Sequence, residues 1–344
     1  MRSIKYSEAI FESLDQLLGQ DPDVIVIGQG LWSPWYVGST MTDLEKSYGK
    51  DRILDTPVSE NATTGVAIGA AMTGKRPIVV HPRMDFMLLA MDPIINQASN
   101  WSYLFQSEVN VPIVIRSIIN RGGEQGAQHS QALQSFFMHV PGIKVVMPAT
   151  PSDAKGLMIS AIYDGNPIMY IDDRWCYDQE GPVSENMDPI PIGKGEILSS
   201  GTDITVVATS YLVNETLISI EEMKSKGISV ELINLRTIKP WDVELVTESV
   251  KKTGRLIIAD SGWSEGGISA EISSSITGSM FGKLKSPVLR VALPNIPAPC
   301  SRTLEKIYYP DSSTISAAID IAFNNKGFRD IECPSENIPG VIVF

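Results

Sequence analysis

The sequence predicts an α/β protein made of two doubly wound domains. Three observations predict it. Short apolar runs suited to buried parallel strands alternate with segments of helical period. A polar stretch from Asp172 to about Asp188, with Gly181, Pro182 and Pro189, separates two such series. The 344 residues suffice for about two domains at roughly 150 residues each.

The elements follow in order. Tyr6 to Leu18 reads as a helix because Ile10, Leu14, Leu17 and Leu18 recur on one face. Asp23-Val-Ile-Val-Ile-Gly28 is apolar on both faces, as a parallel strand covered by helices must be. Asn61 to Gly74 is rich in small residues and ends in Gly, a tightly packed helix with a C-terminal stop. Ile78 to Val80 is a strand, Met87 to Tyr103 one long apolar helix, and Val111 to Arg116 a strand. Ser152 to Tyr163 is a helix with an early Asp153, and Pro167 to Ile171 a strand. After the polar stretch come strands at 203–209, 229–234 and 255–260, and helices at 214–226, 242–253, 269–280 and 313–324. Alternation of this kind means parallel sheets with helices on both faces. The expected bounds are 1–187 for the first domain, 188–325 for the second and 326–344 for a tail. That tail ends apolar, Val-Ile-Val-Phe344, and is expected to dock on its own domain or on a partner.

Composition excludes several classes. Lys and Arg number 28 against 40 Asp and Glu, a formal net charge of −12. Such a surface repels phosphate backbones, so nucleic acid is not expected as a partner. No uncharged apolar run reaches the roughly 18 residues of a membrane span, and the N-terminus carries acids where a signal peptide would be apolar. The expected location is cytoplasm or organelle matrix. Cys176, Cys300 and Cys333 are scattered, without the close pairing of a zinc or redox motif. Neither a Walker loop nor a strand-linked GxGxxG is present; GlyGlnGly at 28–30 lacks the third glycine.

Three places could carry chemistry. Glu60 stands just before a small-residue helix, where it either caps the helix through its dipole or serves as an acid or base at a strand-to-helix loop. His129 follows three glycines in Arg121-Gly-Gly-Glu-Gln-Gly-Ala-Gln-His129. It is either a solvated loop residue or a proton carrier held by an unusual backbone. Asp164-Gly-Asn166 lies where a helix turns into a strand, either a plain Asx turn or an oxygen-rich pocket for a hard cation. His81 follows a strand and could face either way; His139 reads as a packing residue.

These segments occur together with others in a set order: Arg52-Ile-Leu-Asp-Thr-Pro-Val-Ser-Glu60, Gly126-Ala-Gln-His-Ser-Gln131, Val140-Pro-Gly-Ile-Lys-Val-Val146, Asp153-Ala-Lys-Gly156, Asp164-Gly-Asn-Pro167, Asn234-Leu-Arg-Thr-Ile-Lys-Pro240 and Lys252-Thr-Gly. In this the chain resembles the beta subunit of the thiamine-diphosphate-dependent decarboxylating component of 2-oxo acid dehydrogenases, such as pyruvate dehydrogenase, from about Tyr6 to Ala322.

The resemblance implies a pyrimidine-binding transketolase-like domain followed by a transketolase C-terminal-type domain. It also implies an α2β2 heterotetramer whose separate alpha subunit holds Mg2+ and the diphosphate. The alpha-type motif Gly-Asp-Gly…Asn is absent here; Asp164-Gly165-Asn166 is its nearest string. The implied reaction is decarboxylation of a 2-oxo acid with acyl transfer to lipoyl groups on an acyltransferase core. Glu60 is implied to hydrogen-bond a pyrimidine ring nitrogen and to keep or share a proton there. Phe86 is implied to lie against the ring, and Val58 to make a main-chain contact beside it. His129 is implied as a proton donor or orienter near the lipoyl entrance. Ile113, Ala161, Ile162, Asp164 and Asn166 match a K+ site, mostly through main-chain oxygens.

The chain departs from the family pattern at Gln29, at Asn61-Ala-Thr-Thr64, at Leu89, in the segment from Gly30 to Thr40 with Trp32 and Trp35, and in its longer tail. Those departures leave two other readings open: half of a split transketolase or carboligase that does not use lipoyl, and a non-catalytic assembly subunit. Sugar-phosphate transfer would need a cationic clamp, for which Arg116 and Arg121 are the nearest candidates.

Overall fold

The computed structural model describes residues 2–325 and 341–343. Most of the tail lies outside the described residues. The chain divides into two units: residues 1–121, 136–192 and 238–240 form the first, and 122–135, 193–237 and 241 onward the second.

The first unit is built on eight strands: β1 (Arg2–Lys5), β2 (Val24–Gly28), β3 (Ile53–Asp55), β4 (Arg76–His81), β5 (Val114–Ile119), β6 (Lys144–Val146), β7 (Ile168–Asp173) and β8 (Glu180–Val183). Its helices are α1 (Tyr6–Gln20), α2 (Leu44–Tyr48), α3 (Glu60–Met72), α4 (Met84–Met87), α5 (Ser99–Leu104), α6 (Gln134–His139), which begins in the second unit, and α7 (Pro151–Tyr163). The second unit carries β9 (Glu196–Ser199), β10 (Ile204–Ala208), β11 (Val230–Asn234), β12 (Thr237–Lys239), whose last residues return to the first unit, β13 (Leu256–Trp263), β14 (Leu289–Leu293) and β15 (Val341–Val343). Its helices are α8 (Leu212–Ser225), α9 (Val243–Thr253), α10 (Ile268–Ser279), α11 (Arg302–Tyr308) and α12 (Ser312–Asn324).

The first sheet has the order β12-β6-β7-β5-β4-β2-β3, and β3, β2, β4, β5, β7 and β6 run parallel. The second has the order β15-β14-β13-β10-β11-β9, parallel within and antiparallel at both edges. Central strands such as β5, Val-Ile-Arg-Ser-Ile-Ile, are buried along their whole length, as helices on both faces require. The described part of the tail forms edge strand β15 against β14.

Two segments differ from the sequence expectation. The apolar run from Met87 to Tyr103 is no single helix. It breaks into a 3-10 turn at Leu88–Ala90, a π turn at Pro93–Ala98 and then α5. Pro93 has no N–H to continue an α ladder, so the chain rewinds there. The polar stretch after Asp172 is ordered structure: β7 extends to Asp173, a 3-10 turn spans Arg174–Cys176, and β8 pairs antiparallel with β1.

Its polarity comes from buried ion pairs. Arg116 on β5 is fully buried and grips Asp172 with two bonds, Nε to Oδ1 at 3.1 Å and Nη2 to Oδ2 at 2.7 Å. Its Nη1 donates to Thr40 Oγ1 at 2.8 Å, and Tyr177 donates its hydroxyl to Asp172 Oδ2 at 2.5 Å. Burial works against the Arg116 charge, but the Asp172 carboxylate outweighs it and holds the guanidinium protonated. Beside them Arg121 Nε meets Asp173 Oδ2 at 2.6 Å, both side chains buried.

Candidate active site

β3 lies on one flank of β2 and β4 on the other, so the strand order reverses at β2. Beyond the C-terminal ends of strands at such a reversal, no connection covers the sheet and a crevice remains. In the first unit that crevice is a narrow cleft. The end of β2 contributes Gly28 and Gln29, the loop into α3 contributes Thr56, Pro57, Ser59 and Glu60, and the end of β4 contributes Val80 to Arg83, with Phe86 beyond. Gly28 is required by packing: a Cβ there would stand 2.5 Å from the Val80 carbonyl oxygen on the neighbouring strand.

Glu60 is the first residue of α3 and is 7% exposed, with its side chain on the cleft. Phe86 lines the same cleft and is about one-third exposed, offering an apolar ring beside that carboxyl. Val58, in the same loop, has its side chain in solvent. A buried carboxyl next to an accessible aromatic face suits a flat, nitrogen-bearing heteroaromatic ring, which needs one polar contact at its edge and apolar cover on its face. On that test these residues fit the pyrimidine end of thiamine diphosphate.

Sequence reasoning left His81 undecided. It is buried on the cleft, with Nε2 3.2 Å from the hydroxyl of Thr64 on α3. Burial lowers its pKa to about 4 from the usual 6.5, so the imidazole is neutral at pH 7. Arg83 was also missed; no motif marks it, and only its place after β4 puts it in the cleft. Arg116 and Arg121, the nearest candidates for a cationic clamp, pair with Asp172 and Asp173 inside the unit.

The segment from Gly30 to Thr40 is tied down beside the cleft. Asp55 Oδ1 accepts from the Gly30 amide at 2.6 Å, and Trp32 Nε1 donates to the Ile53 carbonyl at 2.9 Å. Gln29 Nε2 donates to the Tyr36 hydroxyl at 3.2 Å. Trp35 is largely exposed.

His129 belongs to the second unit and is half-buried. The glycines before it do what their density implied: Gly122, Gly123 and Gly126 all have positive φ. At Gly126, φ is +67° and a Cβ would fall 2.3 Å from Cys300 Sγ. The Glu124 amide donates to Glu305 Oε1 at 3.0 Å, which fixes the loop against α11. Glu60 and His129 thus lie in different units. His139, expected to pack, is exposed.

The five residues matched to a K+ site gather at the end of α7 and the start of β5, but their oxygens have partners. The Ile113 carbonyl accepts from the Ile168 amide at 2.9 Å, Ala161 from the Asp164 amide at 3.4 Å, and Ile162 from Arg76 Nη1 at 3.2 Å. Asp164 accepts from Lys144 Nζ at 2.6 Å and from Asn166 Nδ2 at 2.9 Å. Each of these carbonyls keeps a second lone pair, so a cation fits through main-chain oxygens, and only the Asp164 carboxylate is occupied by the Lys144 ammonium. No group of three or more His, Cys, Asp or Glu suited to a metal ion exists among the described residues.

Comparison with known proteins agrees with this architecture. Residues 2–174 match the transketolase pyrimidine-binding domain and residues 193–315 the transketolase C-terminal domain. The beta subunit of acetoin:2,6-dichlorophenolindophenol oxidoreductase from Cupriavidus necator is 39% identical, over 92% of this chain and 96% of its own length. This chain belongs to the transketolase-like family of E1 beta subunits. Pyruvate dehydrogenase E1 beta subunits are 36% identical in Rickettsia bellii, over 92% of this chain and 97% of the relative, and 37% in Oryza sativa, over 90% and 84%. These relatives support the dehydrogenase reading over a split carboligase or an assembly subunit. A solved structure titled split gene transketolase, inactive beta4 tetramer, shares the fold with a TM-score of 0.78 at 20% identity, covering 94% of this chain and 99% of the other. No helix among the described residues is long and apolar enough to cross a membrane.

Proposed function

We propose that this E1-type beta subunit works with an alpha subunit, as an α2β2 heterotetramer, to decarboxylate a 2-oxo acid and pass the acyl group to lipoyl on an acyltransferase core. The observation that carries the reading is Glu60, buried at the first turn of α3 on a cleft at the strand-order reversal, with Phe86 beside it. The domain bounds of 1–187 and 188–325 belong to the same proposal.

Thiamine diphosphate, when bound, supplies the acidic carbon and the electron sink that loss of carbon dioxide requires. Its diphosphate and Mg2+ are assigned to the alpha subunit. Glu60 holds a proton at the ring-nitrogen edge of the pyrimidine, where a carboxyl can both donate and accept. Phe86 covers the ring face, Val58 supplies a main-chain contact, and the cleft walls restrict water. His81, neutral and held by Thr64, offers a hydrogen bond without adding charge. His129 serves the acyl-transfer step as proton donor or orienter. K+ at Ile113, Ala161, Ile162, Asp164 and Asn166, held mostly by main-chain oxygens, is part of the reading.

Co-expression with an alpha-type chain tests the proposal. The assembled pair should bind thiamine diphosphate and release carbon dioxide from a 2-oxo acid. Failure to bind the cofactor with both chains folded would overturn it.

A further inference from the structure

Two half-buried arginines of the first unit make no ion pair among the described residues, although Asp85 stands near enough to favour the Arg83 charge. Arg83 follows the end of β4 and lines the cleft; Arg174 follows the end of β7. Both therefore stand at C-terminal strand ends, on the face of the sheet where α/β proteins bind ligands. In the sheet order only β5 lies between β4 and β7, so the strands are about 10 Å apart and two long side chains can reach a common point.

The two acids at the end of β7 are already used. Asp172 is taken by Arg116 and Tyr177, and Asp173 by Arg121 and the Trp175 amide. Arg174 donates through Nη2 to the Tyr36 carbonyl at 2.5 Å, while its Nε is buried without a hydrogen-bond partner among the described residues. Arg83 Nη1 is likewise buried without a partner, and neither arginine has an ion pair among the described residues. Burial and the charge of Arg174 both disfavour the Arg83 cation; Tyr36 and Asp85 favour it. Buried charged donors left unmatched are costly, and such orphans mark places where a ligand supplies the acceptor.

We infer that Arg83 and Arg174 form an oxyanion-binding pair beside the Glu60 cleft, for a substrate carrying an anionic group remote from its 2-oxo carbon. The inference rests on the proposed reaction for its account of which anion binds. The carboxylate lost as carbon dioxide gives up its charge in the transition state. Two arginines aimed at it would stabilise the ground state more than the transition state and slow the reaction. A remote carboxylate or phosphate keeps its charge throughout, so its binding energy holds the substrate in place for reaction. Guanidinium geometry suits either oxyanion.

The test compares wild type with R83Q, R174Q and R83K/R174K in the assembled enzyme. The first readout is thermal stabilisation by inorganic phosphate and by malonate, against sodium chloride at equal ionic strength. Wild type should be stabilised by at least one anion, the glutamine variants not, and the lysine variant in part. The stronger response, phosphate or malonate, identifies the remote group as phosphate or carboxylate. The second readout is the ratio of kcat/KM for a 2-oxo acid with a distal carboxylate, 2-oxoglutarate, to that for 2-oxobutanoate. Each glutamine substitution should lower the ratio by about tenfold or more, mainly through KM. Equal anion stabilisation in all variants with an unchanged ratio overturns the pair. If wild type turns over no 2-oxo acid, with or without a distal carboxylate or phosphate, but loses anion stabilisation on R83Q or R174Q, the proposed reaction fails and the anion site stands.

Discussion

His81 Nε2 lies 3.2 Å from the Thr64 hydroxyl, joining the end of β4 to α3 on the wall of the Glu60 cleft, with both side chains buried. Burial holds His81 neutral, with its pKa lowered to about 4. The unfolded chain takes up this proton below about 6.5 and the native protein only near 4, so stability is complete above pH 6.5 and is lost as pH falls through that window. Between pH 7 and pH 5 the loss from this one group is about 2 kcal/mol. Urea unfolding at the two pH values should show a smaller difference in H81Q than in wild type. An identical difference would remove His81 as the acid-sensitive group.

Among the described residues, Glu60 is the one carboxyl group lining the cleft. E60Q keeps the shape and loses the exchangeable carboxyl proton. Turnover in the assembled enzyme should fall about 100-fold or more with the melting temperature little changed. Activity above a tenth of wild type would dismiss Glu60 from the chemistry.

Arg116 and Asp172 form a buried pair with no exposed side-chain surface on either partner. Replacing Arg116 by Met leaves the Asp172 charge buried and uncompensated, which should cost about 3–5 kcal/mol. The double variant R116M/D172N should cost less than the two single changes summed, because neither residue is then left charged alone. Denaturant midpoints of the four proteins measure this, and additivity would count against a coupled pair.

Lys144 competes with a cation for the Asp164 carboxylate, its Nζ lying 2.6 Å from Oδ2. KCl should therefore stabilise K144M more than wild type, relative to choline chloride at equal ionic strength. Absence of a K+ effect in both proteins would strike the cation from Ile113, Ala161, Ile162, Asp164 and Asn166.

Most strands and helices of both sheets were legible because both-faces-apolar runs and helical periods are local signals. His81 was not: β4 is buried nearly throughout, so alternation along it cannot say which way a side chain faces. Arg174 was hidden for the opposite reason. Charges at 172–174 read as a solvated linker, whereas Asp172 and Asp173 are buried by partners on β5 and just beyond it, far away in sequence. Periodicity likewise joined Met87 to Tyr103 into one helix, where Pro93 and tertiary packing wind it three ways.

The sequence by itself determined the two-sheet α/β class, the family and the candidate residues Glu60 and His129, because strand–helix alternation and motif order are written along the chain. Only the tertiary structure decided which charges are spent and which remain for a ligand. Arg116 and Arg121 are ion-paired to Asp172 and Asp173, while Arg83, on the Glu60 cleft, and Arg174 have no ion pair among the described residues. A guanidinium group's availability depends on the carboxylates that reach it through space. Those carboxylates come from strands paired across the sheet, a relation that spacing along the chain does not encode.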